Sequence, residues 1–131
     1  MVIDTSALLA LLLAEQEAAA FSRAIAADPR RLVSAVSVLE AAIVIQSRKG
    51  PAAGRELDLL LHSAGMVVVR LDAEQVELAR AAYDQFGKGR HRARLNLGDC
   101  CTYALARSSG EPLLFKGDDF SHTDLRLVSA S

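Results

Sequence analysis

The chain has 131 residues, 51% of them apolar and 24% charged, with only 8 Gly and 3 Pro. That composition describes a single globular domain over residues 1–131 and argues against disorder, since a chain this long buries roughly two-thirds of its unfolded surface without help from disulfides or structural metal. With 15 Lys and Arg against 16 Asp and Glu, the formal net charge of -1 gives no overall pull toward nucleic acid or membrane, so polyanion recognition has to come from a local basic cluster.

Short apolar runs alternate with longer helical periods, which implies an α/β domain with a mostly parallel sheet. Met1 to Asp4 reads as a buried strand, followed by an apolar helix from Thr5 or Ser6 to about Leu13 and a second from Glu17 to Ala27, ended by Pro29. Arg31 to Ala35 is the next strand. Ser37 to Ser47 is a helix with Leu39, Ile43 and Gln46 on one face and Glu40 and Val44 on another, stopped by Lys49, Gly50 and Pro51. Ala52 to Ala64 is a leucine-rich helix with Gly65 as its C-terminal cap, and Met66 to Leu71, with three successive valines, is the clearest strand. Asp72 and Gln75 have capping-box spacing before a helix to Phe86. Gly87 to Leu97 is a polar, basic loop. A helix from Gly98 to about Ser108, a buried strand from Pro112 to Phe115 and a Gly-Asp-Asp turn follow, with Leu125 to Val128 as a last edge strand.

The longest uncharged apolar stretch, Ser6 to Ala14, falls far short of the ~20 residues that span a bilayer. No Lys or Arg precedes it as in a secretory signal, so a cytoplasmic protein with no membrane partner is expected. Cys100 and Cys101 are adjacent, a poor arrangement for a disulfide or a metal pair, and read as small buried thiols.

In such sheets, ligand sites lie beyond the carboxyl ends of the strands. Asp4 ends the first strand, Glu40 lies early in the helix after the second, Asp99 opens the helix after the basic loop, and Asp118 and Asp119 follow the Pro112 to Phe115 strand. Each has a local alternative. Asp4 fits a helix cap, Ser37 with Glu40 fits a capping box, Asp99 suits a first helical turn, and Asp118 and Asp119 suit a turn. Together, three or four carboxylates at one sheet edge repel one another unless protons or a cation compensate. An all-oxygen donor set without clustered His or Cys suits Mg2+ or Mn2+ rather than zinc. No Gly-x-Ser-x-Gly elbow occurs, and Gly87-Lys88-Gly89 lacks the spacing of a phosphate loop.

Lys88, Arg90, His91, Arg92 and Arg94 fall within seven residues, just before Asp99. Two readings stand: a solvated loop, or a phosphate clamp in which Arg90, Arg92 and Arg94 offset the acids' repulsion of a polyanion. The loop has no interleaved aromatics for base stacking.

The opening Met1-Val2-Ile3-Asp4-Thr5-Ser6-Ala7-Leu8, the helix acid Glu40, Leu95-Asn96-Leu97-Gly98-Asp99-Cys100 and Leu113-Leu114-Phe115-Lys116-Gly117-Asp118-Asp119-Phe120 resemble the PIN-domain VapC toxins of bacterial toxin-antitoxin systems, in order and across essentially the whole chain. The resemblance implies a PIN-like three-layer α/β fold, a mostly parallel sheet flanked by helices. It also implies Mg2+- or Mn2+-dependent endoribonuclease activity leaving a 5′-phosphate and a 3′-hydroxyl, and inhibition by a small VapB-like antitoxin. Carried over by position, Asp4 and Asp99 match the metal-binding aspartates and Glu40 the helix acid. Asp119 is taken as the fourth acid with Asp118 kept open, and Ser6 matches the hydroxyl that supports the first aspartate. The apolar helices between Ala7 and Ala27 and between Ala52 and Ala64 carry more hydrophobic face than one sheet covers, so a homodimer and an antitoxin interface are expected. Two alternatives stay in view: a receiver-type phosphoacceptor, disfavoured because its paired acids follow the first strand, and a PIN-like module used only for interaction.

Overall fold

The computed structural model describes residues 1–130, which form four parallel strands and six α-helices. Strand β1 is Val2–Ile3, β2 Leu32–Ser34, β3 Val67–Val69 and β4 Leu113–Leu114. The helices are α1 Thr5–Leu12, α2 Ala18–Ala27, α3 Ala35–Lys49, α4 Gly54–Ser63, α5 Ala73–Phe86 and α6 Leu97–Ser109. The sheet order is β3-β2-β1-β4, with Val2 beside both Leu32 and Leu113. A receiver-type doubly wound sheet has the order 2-1-3-4-5, so this topology sets the phosphoacceptor alternative aside.

Side chains alternate across the strands, and both faces of β1, β2 and β4 are covered, while the edge strand β3 leaves Val67 and Val68 exposed. Ile3, Val33 and Leu114 pack with Leu8, Phe21, Ile25 and Leu57 on one face, while Val2, Leu32 and Leu113 pack with Phe86, Leu95, Tyr103 and Phe120 on the other. Three layers result. The Arg31 guanidinium ties two helix ends together, donating to the Ala26 carbonyl in the last turn of α2, to the Asp28 carbonyl just after it and to the Ala64 carbonyl after α4. Such orphan carbonyls at helix C-termini favour a cation. Gly65, at φ 61, makes the reversal from α4 into β3, as the sequence predicts. Among the described residues no helix is long and apolar enough to cross a membrane.

Three local expectations change. Helix α3 starts at Ala35, with the Ser34 side chain accepting from the Val36 amide, so Ser37 and Glu40 do not form its capping box. Asp72 caps α5 by accepting from the Gln75 amide, but the Gln75 side-chain amide donates to the Arg70 carbonyl rather than answering at the cap. Leu125 to Val128 makes a single parallel bridge, Leu127 to Leu113, instead of a full edge strand.

Candidate active site

The chain passes β1 to α1 at Asp4, which caps α1 and is 4% exposed. Its Oδ2 accepts from the Ser6 amide at 3.0 Å and the Ser6 hydroxyl at 2.6 Å, and its Oδ1 from the Thr102 hydroxyl at 2.7 Å. Buried polar oxygens require such partners, and these three donors satisfy the Asp4 carboxyl inside the fold. The Ser6 hydroxyl in turn accepts from the Lys116 amide at 2.9 Å, fastening the exit of β4 to the exit of β1.

Glu40 projects from the second turn of α3, where its Oε1 accepts from the Thr5 hydroxyl at 2.7 Å. Its carboxylate lies against the backbone of Gly98, so closely that a Cβ there would stand 2.6 Å from an oxygen. Asp99 forms a reciprocal capping box with Asn96, its carboxylate accepting from the Asn96 amide at 3.0 Å while the Asn96 side chain accepts from the Asp99 amide at 2.9 Å. The capping reading of Asp99 therefore holds, and the same carboxylate also belongs to the acid group. Burial pushes the Asp99 carboxyl up to about 6, against the pull of the Asn96 amide, and the charges of Asp4, Asp119 and Glu40 raise it further. Those three acids are thus the ones whose fields meet at Asp99.

Asp119 opens the 3-10 turn Asp119–His122 after β4 and is exposed. Asp118 is 81% exposed at its side chain and turns away to His122, 3.0 Å from the ring. The four acids Asp4, Glu40, Asp99 and Asp119 therefore lie around the carboxyl ends of β1, β2 and β4, where the strand order reverses on either side of β1. Among the described residues no three His, Cys, Asp or Glu side chains are gathered into a ready-made metal cage. Mg2+ does not require one, because it is commonly held by one or two carboxylates and keeps several waters. An oxygen-only donor set in which burial, and then the neighbouring acids, raise one member has the chemistry of a site for a hard divalent ion, which Asp4 and Asp99 would hold.

The basic loop is an excursion closed at its base. The Lys88 amide donates to the Leu95 carbonyl and the Leu95 amide to the Phe86 carbonyl, each at 2.9 Å. His91 packs edge-on against Phe86 and accepts from the Ala93 amide through Nδ1, which makes it part of the loop's scaffold. Arg90 stacks over the Tyr83 ring at 5.3 Å, and Arg90, Arg92 and Arg94 are all exposed. Cys100 and Cys101 are buried free thiols beside a groove of 440 Å³ lined by residues of α5 and α6. Three residues that sequence reasoning passed over support the acids: Thr5, Gly98 and Thr102. Asn96 carried a legible signal, the Asn-x-x-Asp spacing of a capping box.

The chain matches the PIN domain family over residues 1–125. It is 57% identical over 129 residues to ribonuclease VapC30 of Mycobacterium tuberculosis, covering 98% of each chain, and 57% identical over 128 residues to a ribonuclease VapC of Mycolicibacterium smegmatis, covering 98% of this chain and 99% of the other. Among solved structures, it resembles M. tuberculosis VapC20, described as a sarcin-ricin loop cleaving toxin, with a TM-score of 0.77 at 22% identity over 97% of each chain. It also resembles a chain of a toxin-antitoxin complex from Klebsiella pneumoniae, with a TM-score of 0.71 at 18% identity over 97% of this chain and 95% of that one. With the PIN domain family matched over residues 1–125 and relatives 57% identical along nearly their whole length, this chain belongs to the VapC ribonuclease family of PIN-domain proteins.

Proposed function

We propose that this chain is the endoribonuclease toxin of a toxin-antitoxin pair, hydrolysing RNA phosphodiesters at the acid group with Mg2+ or Mn2+ held by Asp4 and Asp99. The observation that carries the reading is the gathering of acids at the carboxyl ends of the strands, with Asp4 held by Ser6 and Thr102, Glu40 by Thr5 and against Gly98, and Asp99 by Asn96. A divalent ion bound there supplies Lewis acidity toward a phosphate oxygen and toward an attacking water. Asp4, held by Ser6 and Thr102, and Asp99, held by Asn96, present oxygens that need no reorganisation. Glu40, fixed by Thr5, and Asp119 orient the attacking water and take its proton. The water oxygen bonds to phosphorus as the bond to the 3′ oxygen breaks, and that oxygen gains a proton. The products carry a 5′-phosphate and a 3′-hydroxyl.

Arg90, Arg92 and Arg94 hold the RNA backbone on its approach, offsetting the repulsion between acids and phosphates. A groove lined by Leu11, Ile25, Leu60 and Met66 of the α1, α2 and α4 layer receives the small VapB-like antitoxin. Leu39, Ile43 and Leu97, exposed by 62%, 60% and 80%, form the apolar patch through which two copies pair as a homodimer. The reading places the protein in the cytoplasm with its RNA. Total cellular RNA incubated with Mg2+ or Mn2+ and mapped at its 5′ ends tests it, with Asp4→Asn as control. Cleavage at defined sites only with metal and only by the wild-type protein is expected. Equal cleavage in excess chelator or by Asp4→Asn would refute it.

A further inference from the structure

Asp4 is the most heavily bonded acid of the site, and its acceptors can be counted. An ionised carboxylate has about four lone-pair positions. The two on Oδ2 are taken by the Ser6 amide and hydroxyl, and one on Oδ1 by the Thr102 hydroxyl. A single position on Oδ1 is left. Because Thr102 spends its proton on Asp4, the hydroxyl contact of 3.2 Å between Ser37 and Thr102 has one consistent polarity, with Ser37 donating. Ser37 is 1% exposed and Thr102 wholly buried, so neither hydroxyl exchanges its partner for bulk water. The chain of donors runs from α3 through α6 to the turn after β1, and it joins the helix that bears Glu40, the helix that bears Asp99 and Asp4 itself.

We propose that Thr102, backed by Ser37, is a positioning residue that holds Asp4 Oδ1 in one orientation and leaves it a free lone pair with which it would hold a divalent ion. The inference rests on the proposed metal-dependent activity and adds the element that aims its first ligand. Removing the hydroxyl lets the Asp4 carboxylate turn about its Ser6 bonds, while Ser6 continues to hold it near the site. Partners behind metal ligands are worth about 10–100-fold in affinity or activity.

The test uses Thr102→Val, which keeps the shape and removes the hydroxyl, Thr102→Ser, which keeps the hydroxyl, and Ser37→Ala. Manganese affinity is measured by calorimetry on RNA-free protein, the metal-free proteins are melted, and kcat and KM are read separately on an RNA oligonucleotide. Thr102→Val should bind manganese about 10–100-fold more weakly and lose kcat with little change in KM. Thr102→Ser should recover most of the affinity, and Ser37→Ala should show a smaller loss in the same direction. If Thr102→Val does not fold, Ser37→Ala and Thr102→Ser carry the comparison, since Ser37 reaches Asp4 only through Thr102. Wild-type manganese affinity in Ser37→Ala, joined by Thr102→Val where that variant folds, or a loss in Thr102→Ser as large as in Thr102→Val, would overturn the inference alone. A wild-type protein that neither binds manganese nor cleaves RNA would overturn the proposed function and this inference with it.

Discussion

Gly98→Ala separates the stability of the fold from the geometry of the site. The added methyl would stand 2.6 and 2.7 Å from the two carboxylate oxygens of Glu40 and 2.9 Å from its carboxyl carbon. Ordinary contact begins at about 3.5 Å, so the nearer carboxylate oxygen has to withdraw by roughly 0.9 Å. Gly98 is not among the positive-φ residues, so the first turn of α6 accepts alanine. The better helix former contributes up to about 1 kcal/mol, which offsets part of the weakened Thr5 to Glu40 hydrogen bond, itself about 1.5–3 kcal/mol when charged and less when half exposed. Net stability should change by less than about 2 kcal/mol, because Glu40 yields at the far end of a flexible side chain. Catalysis should not be so tolerant, since a displacement near 1 Å costs on the order of 10²-fold. Single-turnover cleavage of an RNA oligonucleotide beside urea unfolding reads both quantities. Wild-type cleavage by a folded Gly98→Ala protein would refute the role given to Glu40.

Asp99 binds its proton more tightly in the metal-free fold, at about 6, than at its ordinary 3.8. Native stability therefore falls as pH rises from about 4 through about 6, and Asp99→Asn should be more stable than wild type at pH 7 by roughly 1–2 kcal/mol after solvent screening, with the difference vanishing below pH 4 in urea titrations. Changing Arg90, Arg92 and Arg94 to Ala in an Asp4→Asn background should flatten the log affinity against log salt slope for single-stranded RNA by about 2, and an unchanged slope would mean a merely solvated loop. Burial, with the Asp99 charge beside it, pushes the Cys100 thiol up to about 11 and burial likewise raises Cys101, so both should resist iodoacetamide at pH 8 until the protein unfolds. Rapid labelling of the native protein would contradict this.

The layered fold and the meeting of the acids were legible because both depend on local signals with a strong period. Alternating apolar runs marked the strands, and acids at strand ends marked the edge where a parallel sheet places its ligands. Helix starts were less legible. Ser37-x-x-Glu40 has the spacing of a capping box, yet β2 hands over to α3 at Ser34, and this leaves Ser37 for Thr102 and Glu40 for Thr5. Residues 98 apart in sequence, Asp4 and Thr102, meet only through the fold, so no local pattern announces their bond. The same holds for Gly98, whose missing side chain matters only because the Glu40 carboxylate occupies that space. Leu39 and Ile43 could be assigned to one helix face from their spacing, whereas their exposure depends on what the other layers leave uncovered.

The rate of RNA cleavage, followed against manganese concentration for the wild-type and Asp99→Asn proteins side by side, tests the metal-dependent acid site most directly. The wild-type rate should rise from background in chelator to a plateau, while Asp99→Asn stays near background throughout although it remains folded. A wild-type rate indifferent to chelator, or an Asp99→Asn protein that reaches the wild-type plateau, would contradict it.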